Sequence, residues 1–308
     1  MTDQRRGLLL GVAAYGLWGG FPLYWPLLEP AGAIEILAHR VLWSVLTMGL
    51  LVVLLRRTGQ FRALFGQRRT FLLLAGAAFT ITFNWATYIY GVNNDRVVET
   101  SLGYFINPLV TVLMGVLILG ERLRPLQWAA MGVASAAVVV LTVDYGRLPW
   151  VALVLAFSFG TYGLAKKSAN VGAVESLALE TTLIAPFAAA YVGWLVATGH
   201  SNFASHGAGH ALLLSSAGIV TAIPLICFGA AAIRVSMVTL GLLQYLAPIL
   251  QFALGITVLG EDMPAGRWIG FALVWLALSI FTWDALRERR RHLESARLTL
   301  KEAPTRLV

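Results

Sequence analysis

Apolar stretches of membrane-spanning length fill most of this sequence, and they limit the chain to folds that are built in lipid. A helix needs about 20 predominantly apolar residues to cross the hydrocarbon core of a bilayer. Only 12% of the residues are charged, whereas about 25% are charged in a typical soluble domain. We therefore predict an all-α integral membrane protein whose ten transmembrane helices cover residues 7–28, 34–55, 71–91, 97–119, 126–143, 148–165, 177–197, 211–233, 236–259 and 266–285.

The positive charges predict the orientation of these helices. If the N-terminus is cytoplasmic, 19 of the 23 Lys and Arg residues fall in cytoplasmic segments, and only Arg96, Arg147 and Arg267 fall in outer loops. Lys and Arg concentrate on the cytoplasmic side of membrane proteins, so we predict that both termini are cytoplasmic and that the protein lies in the cell inner (plasma) membrane. The net charge of +8 then indicates contact with membrane lipid and not with nucleic acid.

The sequence also contains an internal repeat with an offset of 140 residues. Residues 240–261 repeat the pattern of residues 100–121, so that Pro108 matches Pro248 and the ending Leu119-Gly120-Glu121 matches Leu259-Gly260-Glu261. Each copy spans five helices, and an odd number of spans inverts the second copy relative to the first. Inverted repeats are typical of secondary transporters that work by alternating access. We predict two five-helix repeats and a basic cytoplasmic tail, over residues 1–144, 145–286 and 287–308.

Several short motifs occur in a specific order along the chain: His39-Arg40 with Trp43, Asn84-Trp85, Asn93-Asn94, Ser101 to Pro108, Leu119 to Glu121, Ala156 to Ser158, Leu179 to Thr181, and Gln244-Tyr245 with Pro248. In their order and spacing the sequence resembles the EamA family of the drug/metabolite transporter superfamily, and within it the RarD-like proteins. The resemblance extends from about Gly7 to Trp283. It implies a ten-helix inner-membrane permease with a central cavity, and the RarD branch is linked by its name to chloramphenicol sensitivity.

The matched prolines and the polar residues near them are the first candidates for a transport site. Pro108 and Pro248 are central in their predicted helices, where proline removes a backbone hydrogen bond and bends or breaks the helix. An unpaired amide in hydrocarbon costs several kcal/mol, so the polar groups at this depth must face one another, water or a ligand. Hydrogen bonds that only join the helices are the alternative. The predicted substrate-binding residues of this set are Asn84, Trp85, Tyr104, Asn107, Gln244 and Tyr245.

Ionisable residues inside the predicted helices are the second set of candidates, because such residues are costly in lipid and usually functional. Arg40 and His39 lie toward the outer end of the second helix, and Glu180 lies toward the inner end of the seventh. We predict that all three contribute to the substrate path and that Glu99 pairs with Arg40 at a similar depth. Snorkelling of Arg40 to the outer surface is the alternative. His39, Glu99 or Glu180 could also carry a proton.

The sequence thus predicts a secondary transporter that moves a small organic metabolite or drug-like solute by alternating access. A passive channel or uniporter is the first alternative, and an integral membrane enzyme is the second. We find no motif for a catalytic residue, a metal or a cofactor, and the single cysteine, Cys227, cannot form an intramolecular disulfide. The expected partners are a small-molecule substrate and membrane lipid, and a monomer is sufficient to form the predicted cavity.

Overall fold

The computed structural model describes residues 3–119, 123–203, 205–232, 234–235 and 243–302. These residues form helices joined by short turns, and no strand occurs among them. The all-α prediction is therefore confirmed for the described residues. The helices are α1 (Asp3–Gly19), α2 (Phe21–Tyr24), a 3₁₀ helix (Trp25–Leu28), α3 (Ala33–Leu54), α4 (Thr58–Gly66), α5 (Arg68–Val92), α6 (Val97–Leu119), α7 (Pro125–Tyr145), α8 (Trp150–Ala169), α9 (Ala173–Ala197), α10 (Gly207–Ala232), α11 (Leu246–Thr257) and α12 (Ala265–Glu302).

Seven of these helices are long and apolar enough to cross a bilayer: α3, α5, α6, α7, α9, α10 and the first 20 residues of α12. Helix α1 and the residues Phe21–Leu28 form an eighth span if the 44° bend between them is counted as part of one crossing. Two further apolar helices, the Trp150–Lys166 part of α8 and the whole of α11, are too short to be counted as spans on this basis. The fold is therefore that of a multi-pass membrane protein, and the total of ten spans stays a prediction.

Helix α4 was missed because five arginines lie between positions 56 and 69, which led us to read this stretch as a connection. It covers Thr58–Gly66, and the spacing of Phe61, Leu64 and Phe65 gives it one apolar face. Leu64 is buried in a cluster with Leu74 and Leu179. The structure also extends α12 as one helix to Glu302, so most of the predicted tail is helical.

The chain divides into two compact units. The first contains Met1–Asn107 and Trp150–Asp262, and the second contains Pro108–Pro149 and Met263–Val308. In the first unit α1 packs on α10, α3 packs on α9 and α10, and α5 packs on α8 and α9. In the second unit α7 packs on α12. The bounds of these units differ from those of the predicted repeats, and the repeats stay a prediction.

Two glycines bring helices of the first unit unusually close together. A Cβ atom at Gly218 of α10 would lie 2.5 Å from the backbone carbonyl of Trp43 in α3, and one at Gly103 of α6 would lie 2.8 Å from the carbonyl oxygen of Ala152 in α8. Small residues allow this kind of close backbone approach in membrane helices. The contact at Gly218 places the next turn of α10 against the turn of α3 that precedes Trp43.

Candidate functional site

The side chain of Arg40 is buried in the first unit, with 4% of its surface exposed. Its Nε donates a hydrogen bond to Thr221 Oγ1 on α10 at 3.0 Å. Its guanidinium carbon lies 3.9 Å from the ring centre of Trp85 and 5.0 Å from that of Trp25. A cation over an aromatic face gains about 2 kcal/mol when it is desolvated, which offsets part of the cost of burial. Arg40 therefore does not snorkel to the surface.

The predicted ion pair between Arg40 and Glu99 is not formed. Within the described part of the chain, no carboxylate lies within 4 Å of the Arg40 guanidinium. Glu99 instead accepts a hydrogen bond from the backbone N–H of Val151 at 3.1 Å, in the first turn of α8. The first backbone N–H groups of a helix have no partner within the helix and carry a partial positive charge. Glu99 therefore interacts with the N-terminus of α8. Its predicted depth alone had suggested a pair with Arg40.

Tyrosines add further aromatic surface beside Arg40. Tyr24, Tyr88 and Tyr104 belong to the same packed cluster as Trp25 and Trp85, whose rings lie near the guanidinium. The rings of Tyr88 and Tyr104 pack edge to face with their centres 5.7 Å apart. Tyr88 is 3% exposed, and its hydroxyl has no hydrogen-bond partner among the described residues. We refer to the following group as the arginine site: Arg40, Trp25, Trp85, Tyr88, Tyr104 and Thr221.

Three members of the arginine site were missed by the sequence analysis. Tyr88 follows Trp85 by three positions, and residues at this spacing share a helix face, so this signal could have identified it. Trp25 lies in a bent segment and Thr221 is one of many hydroxyl residues in α10. The sequence offers no signal that would have placed either of these two residues beside Arg40.

Asn84 joins two helices. Its Nδ2 donates hydrogen bonds to the Leu155 carbonyl oxygen at 3.0 Å and to Ser158 Oγ at 2.9 Å, both on α8. The side chain is 1% exposed. These contacts match the alternative interpretation, in which a buried amide holds the bundle together.

His39 contacts the loop that precedes α10 and not the arginine site. Its ring stacks on Phe203 with a centroid distance of 4.8 Å and an interplanar angle of 13°. Its Nε2 is buried without a hydrogen-bond partner in the described residues. One turn earlier, Glu35 accepts hydrogen bonds from the backbone N–H and the side-chain amide of Asn202, both at 2.7 Å. Asn202 and Phe203, which precede α10, therefore cover the start of α3.

Glu180 is the centre of a second polar cluster, formed by α8 and α9. Its carboxylate, 1% exposed, accepts hydrogen bonds from Lys166 Nζ at 2.8 Å, Tyr162 Oη at 3.1 Å and Ser176 Oγ at 2.7 Å. Lys166 also donates to Ser176 Oγ. Glu180 and Trp85 line one narrow crevice, so this cluster lies next to the arginine site.

The two matched prolines have different surroundings. Helix α6 continues through Pro108 without a break, although proline leaves the carbonyl of the preceding turn without its usual donor. Pro248 is buried in the first turn of α11, directly after the turn at Gln244 and Tyr245. Residues 236–242, which begin the predicted ninth helix, lie outside the described residues. Asn107 Oδ1 is buried without a hydrogen-bond partner in the part of the chain that is described.

Glu261, at the end of the second repeat motif, caps α6. Its carboxylate accepts hydrogen bonds from the backbone N–H groups of Val97 and Val98, the latter at 3.0 Å. A carboxylate is favourable at this position because it satisfies unpaired N–H groups at the positive end of the helix dipole. The matching residue of the first repeat, Glu121, lies outside the described residues.

Comparison with known proteins identifies the family. The model of the EamA-like transporter family matches residues 5–143. A Protein RarD of Streptomyces exfoliatus is 58% identical over 99% of this chain and 98% of its own length, and an uncharacterized transporter of Pseudomonas aeruginosa is 44% identical over 94% and 97%. One crystal structure shares the fold, with a TM-score of 0.57 at 22% identity, over 91% of this chain and 98% of that one. The chain therefore belongs to the EamA-like transporter family, as a RarD-like multi-pass membrane transporter.

Proposed function

We propose that this protein moves a small organic solute across the bacterial inner membrane by alternating access. Ten spans form two inverted five-helix repeats, with both termini in the cytoplasm. The solute binds at the arginine site, which combines α3 and α5 of the first repeat with Thr221 on α10 of the second. Inverted-repeat transporters bind their solutes at the interface between the repeats.

The observation that carries this proposal is a reciprocal pattern of helix packing. In the proposed repeat, each span of the first copy is equivalent to the span five places later. Helix α1 is then equivalent to α8, α3 to α9, α5 to α10, and α7 to α12. The contact of α1 with α10 then corresponds to that of α8 with α5, and the contact of α3 with α10 corresponds to that of α9 with α5. The contacts α3–α9 and α7–α12 each join two equivalent helices, so exchanging the copies leaves these contacts unchanged. A pseudo-twofold axis between two repeats produces this pattern.

Matching local geometry at two helix starts supports the same relation. Helices α3 and α9 begin 140 residues apart, at Ala33 and Ala173, and each follows a glycine with extended backbone (ψ 160° at Gly32 and 147° at Gly172). Each helix carries a buried glutamate in its first turn. The spacing of these two helix starts equals the 140-residue offset of the sequence repeat, which supports the proposal.

The two short apolar helices support the count of ten. The apolar part of α8 covers Trp150–Lys166, which is about 25 Å at 1.5 Å per residue. This length approaches the roughly 30 Å core of a bilayer. Helix α11 occupies the second half of the predicted ninth span. Together with the eight longer candidates, these helices support the proposed count of ten.

Solute counterflow in proteoliposomes tests the proposal. Solutes are first selected from a panel of metabolites and antibiotics by their stabilisation of the purified protein against heat, because a ligand that binds the native state raises the unfolding midpoint. A carrier accelerates uptake of labelled solute when unlabelled solute is present inside the vesicles. A channel shows no such acceleration, and an enzyme converts the solute. Repeating the uptake with an imposed pH gradient distinguishes proton-coupled transport from a uniporter.

A further inference from the structure

We infer that the transported solute is an organic anion, with a planar oxyanion such as a carboxylate attached to an aromatic body. This inference rests on the proposed transport function and specifies the chemistry of its substrate. It depends on the hydrogen-bonding and charge state of the arginine site and on the shape of its walls.

The first observation is the set of donors that Arg40 leaves unused. A guanidinium has five N–H donors, and the described residues accept from one of them, at Nε. The buried polar atoms without partners include Trp25 Nε1 and Tyr88 Oη but none of Arg40. No described residue accepts a hydrogen bond from the two terminal nitrogens, and they offer the fork geometry that binds a carboxylate through two parallel hydrogen bonds.

The second observation is the missing countercharge. Four other arginines, all more exposed than Arg40, form ion pairs with carboxylates, at Arg57, Arg124, Arg234 and Arg267. In the part of the chain that the structure describes, Arg40 has no such partner. A buried charge is costly unless it is paired, so the site favours a ligand that brings a negative charge.

The third observation concerns the rest of the ligand. The guanidinium carbon lies over the Trp85 ring, 3.9 Å from its centre, and Trp25, Tyr88 and Tyr104 supply further ring surface nearby. Flat aromatic walls favour a flat apolar body by stacking and edge-to-face contact. Tyr88 Oη and Trp25 Nε1 are unpaired donors that can supplement the guanidinium at an oxyanion. An inorganic anion would leave the walls uncovered, and an organic cation would be repelled by Arg40.

Matched acids and amides test the inference. The unfolding midpoint of the purified protein is measured with phenylacetate and indole-3-acetate, and with phenylacetamide and indole-3-acetamide at the same concentrations. We expect the acids to stabilise the protein and each amide to bind about tenfold more weakly or worse, since hydrogen bonds between charged groups are the stronger ones. Equal stabilisation by acid and amide, or no stabilisation by either acid, overturns the inference.

Variants locate the effect at Arg40. Arg40→Gln should abolish the difference between acid and amide, and Arg40→Lys, which keeps the charge but loses the fork, should retain a smaller difference. Arg267→Gln is the control, because Arg267 already pairs with Asp144, and this variant should keep the full difference. If Arg40→Gln does not fold, the difference between acid and amide is compared in Arg40→Lys and Arg267→Gln, and a smaller difference in Arg40→Lys is expected. Acid binding that is unchanged in the Arg40 variants overturns the inference.

Failure of the inference and failure of the proposed function give different results. Counterflow of neutral solutes at a rate independent of Arg40 overturns the anion assignment and leaves transport intact. Acid binding that depends on Arg40, without counterflow of the bound acid, supports the anion site and contradicts transport.

Discussion

Replacing Gly218 by alanine tests how the close contact between α3 and α10 builds the arginine site. The new Cβ would lie 2.5 Å from both the carbonyl carbon and the carbonyl oxygen of Trp43, and 2.8 Å from its Cβ. These are backbone and Cβ atoms, so no rotation of a side chain relieves the overlap. Ordinary contact requires about 3.5 Å, and the helices must therefore separate by about 1 Å at this turn.

The separation acts on Arg40 directly, because Thr221 follows Gly218 by one turn of α10. The hydrogen bond from Arg40 Nε to Thr221 Oγ1 measures 3.0 Å and would lengthen to about 4 Å, beyond the range of a hydrogen bond. Overpacking costs about 1–3 kcal/mol, and a hydrogen bond of a charged group contributes about 1.5–3 kcal/mol. Alanine gains about 1 kcal/mol in helix propensity over glycine. We expect a net loss of about 1.5–5 kcal/mol in stability.

Thermal unfolding of the purified protein in detergent measures this loss. Gly49→Ala is a matched control, because Gly49 lies in α3 and no atom would come within 4 Å of its new Cβ. We expect the Gly49 variant to be as stable as the parent or slightly more stable, and the Gly218 variant to unfold at a clearly lower temperature and to lose solute binding. Equal midpoints for the two variants, with solute binding intact in both, would refute the reasoning.

Three further changes have defined outcomes in the same unfolding assay. Glu261→Ala removes the cap of α6 and should cost about 0.5–2 kcal/mol; an unchanged midpoint would contradict the capping role. Lys166→Met leaves Glu180 buried without a countercharge and should cost about 3–5 kcal/mol. Glu180→Gln in that background should restore part of the loss, whereas additive losses would argue against the pair. Asn84→Ala should cost about 0.5–1.5 kcal/mol through its interhelical hydrogen bonds; loss of solute binding with full stability would instead place Asn84 in the substrate path.

The helices were predictable from the sequence because lipid imposes a length and an apolar composition on each crossing. The predicted segments 34–55 and 97–119 agree closely with α3 and α6, at Ala33–Leu54 and Val97–Leu119. Helix α4 was not predictable in this way, because it is too short and too basic to give a membrane signal. Its apolar face is recognisable only after Leu74 and Leu179 are known to pack against Leu64.

The composition of the site was only partly predictable. An arginine inside an apolar segment is a strong signal. Trp85, which was predicted with Tyr104 at the depth of the prolines, lies beside Arg40, and Tyr104 packs against the same cluster as Trp85. Position along a helix gives depth but not direction around the helix axis. For this reason the sequence predicted Glu99 as the partner of Arg40, whereas in the structure Glu99 accepts from the first turn of α8.

Accessibility of Ser44 from the two sides of the membrane tests alternating access most directly. Ser44 lies one turn after Arg40 in α3, is 1% exposed, and has no hydrogen-bond partner for its hydroxyl among the described residues. Ser44→Cys, combined with Cys227→Ser to remove the single native cysteine, is treated with a membrane-impermeant thiol reagent in right-side-out and inside-out vesicles. We predict labelling in both orientations, because each face opens in turn. Labelling from one face alone, or from neither, would contradict the account.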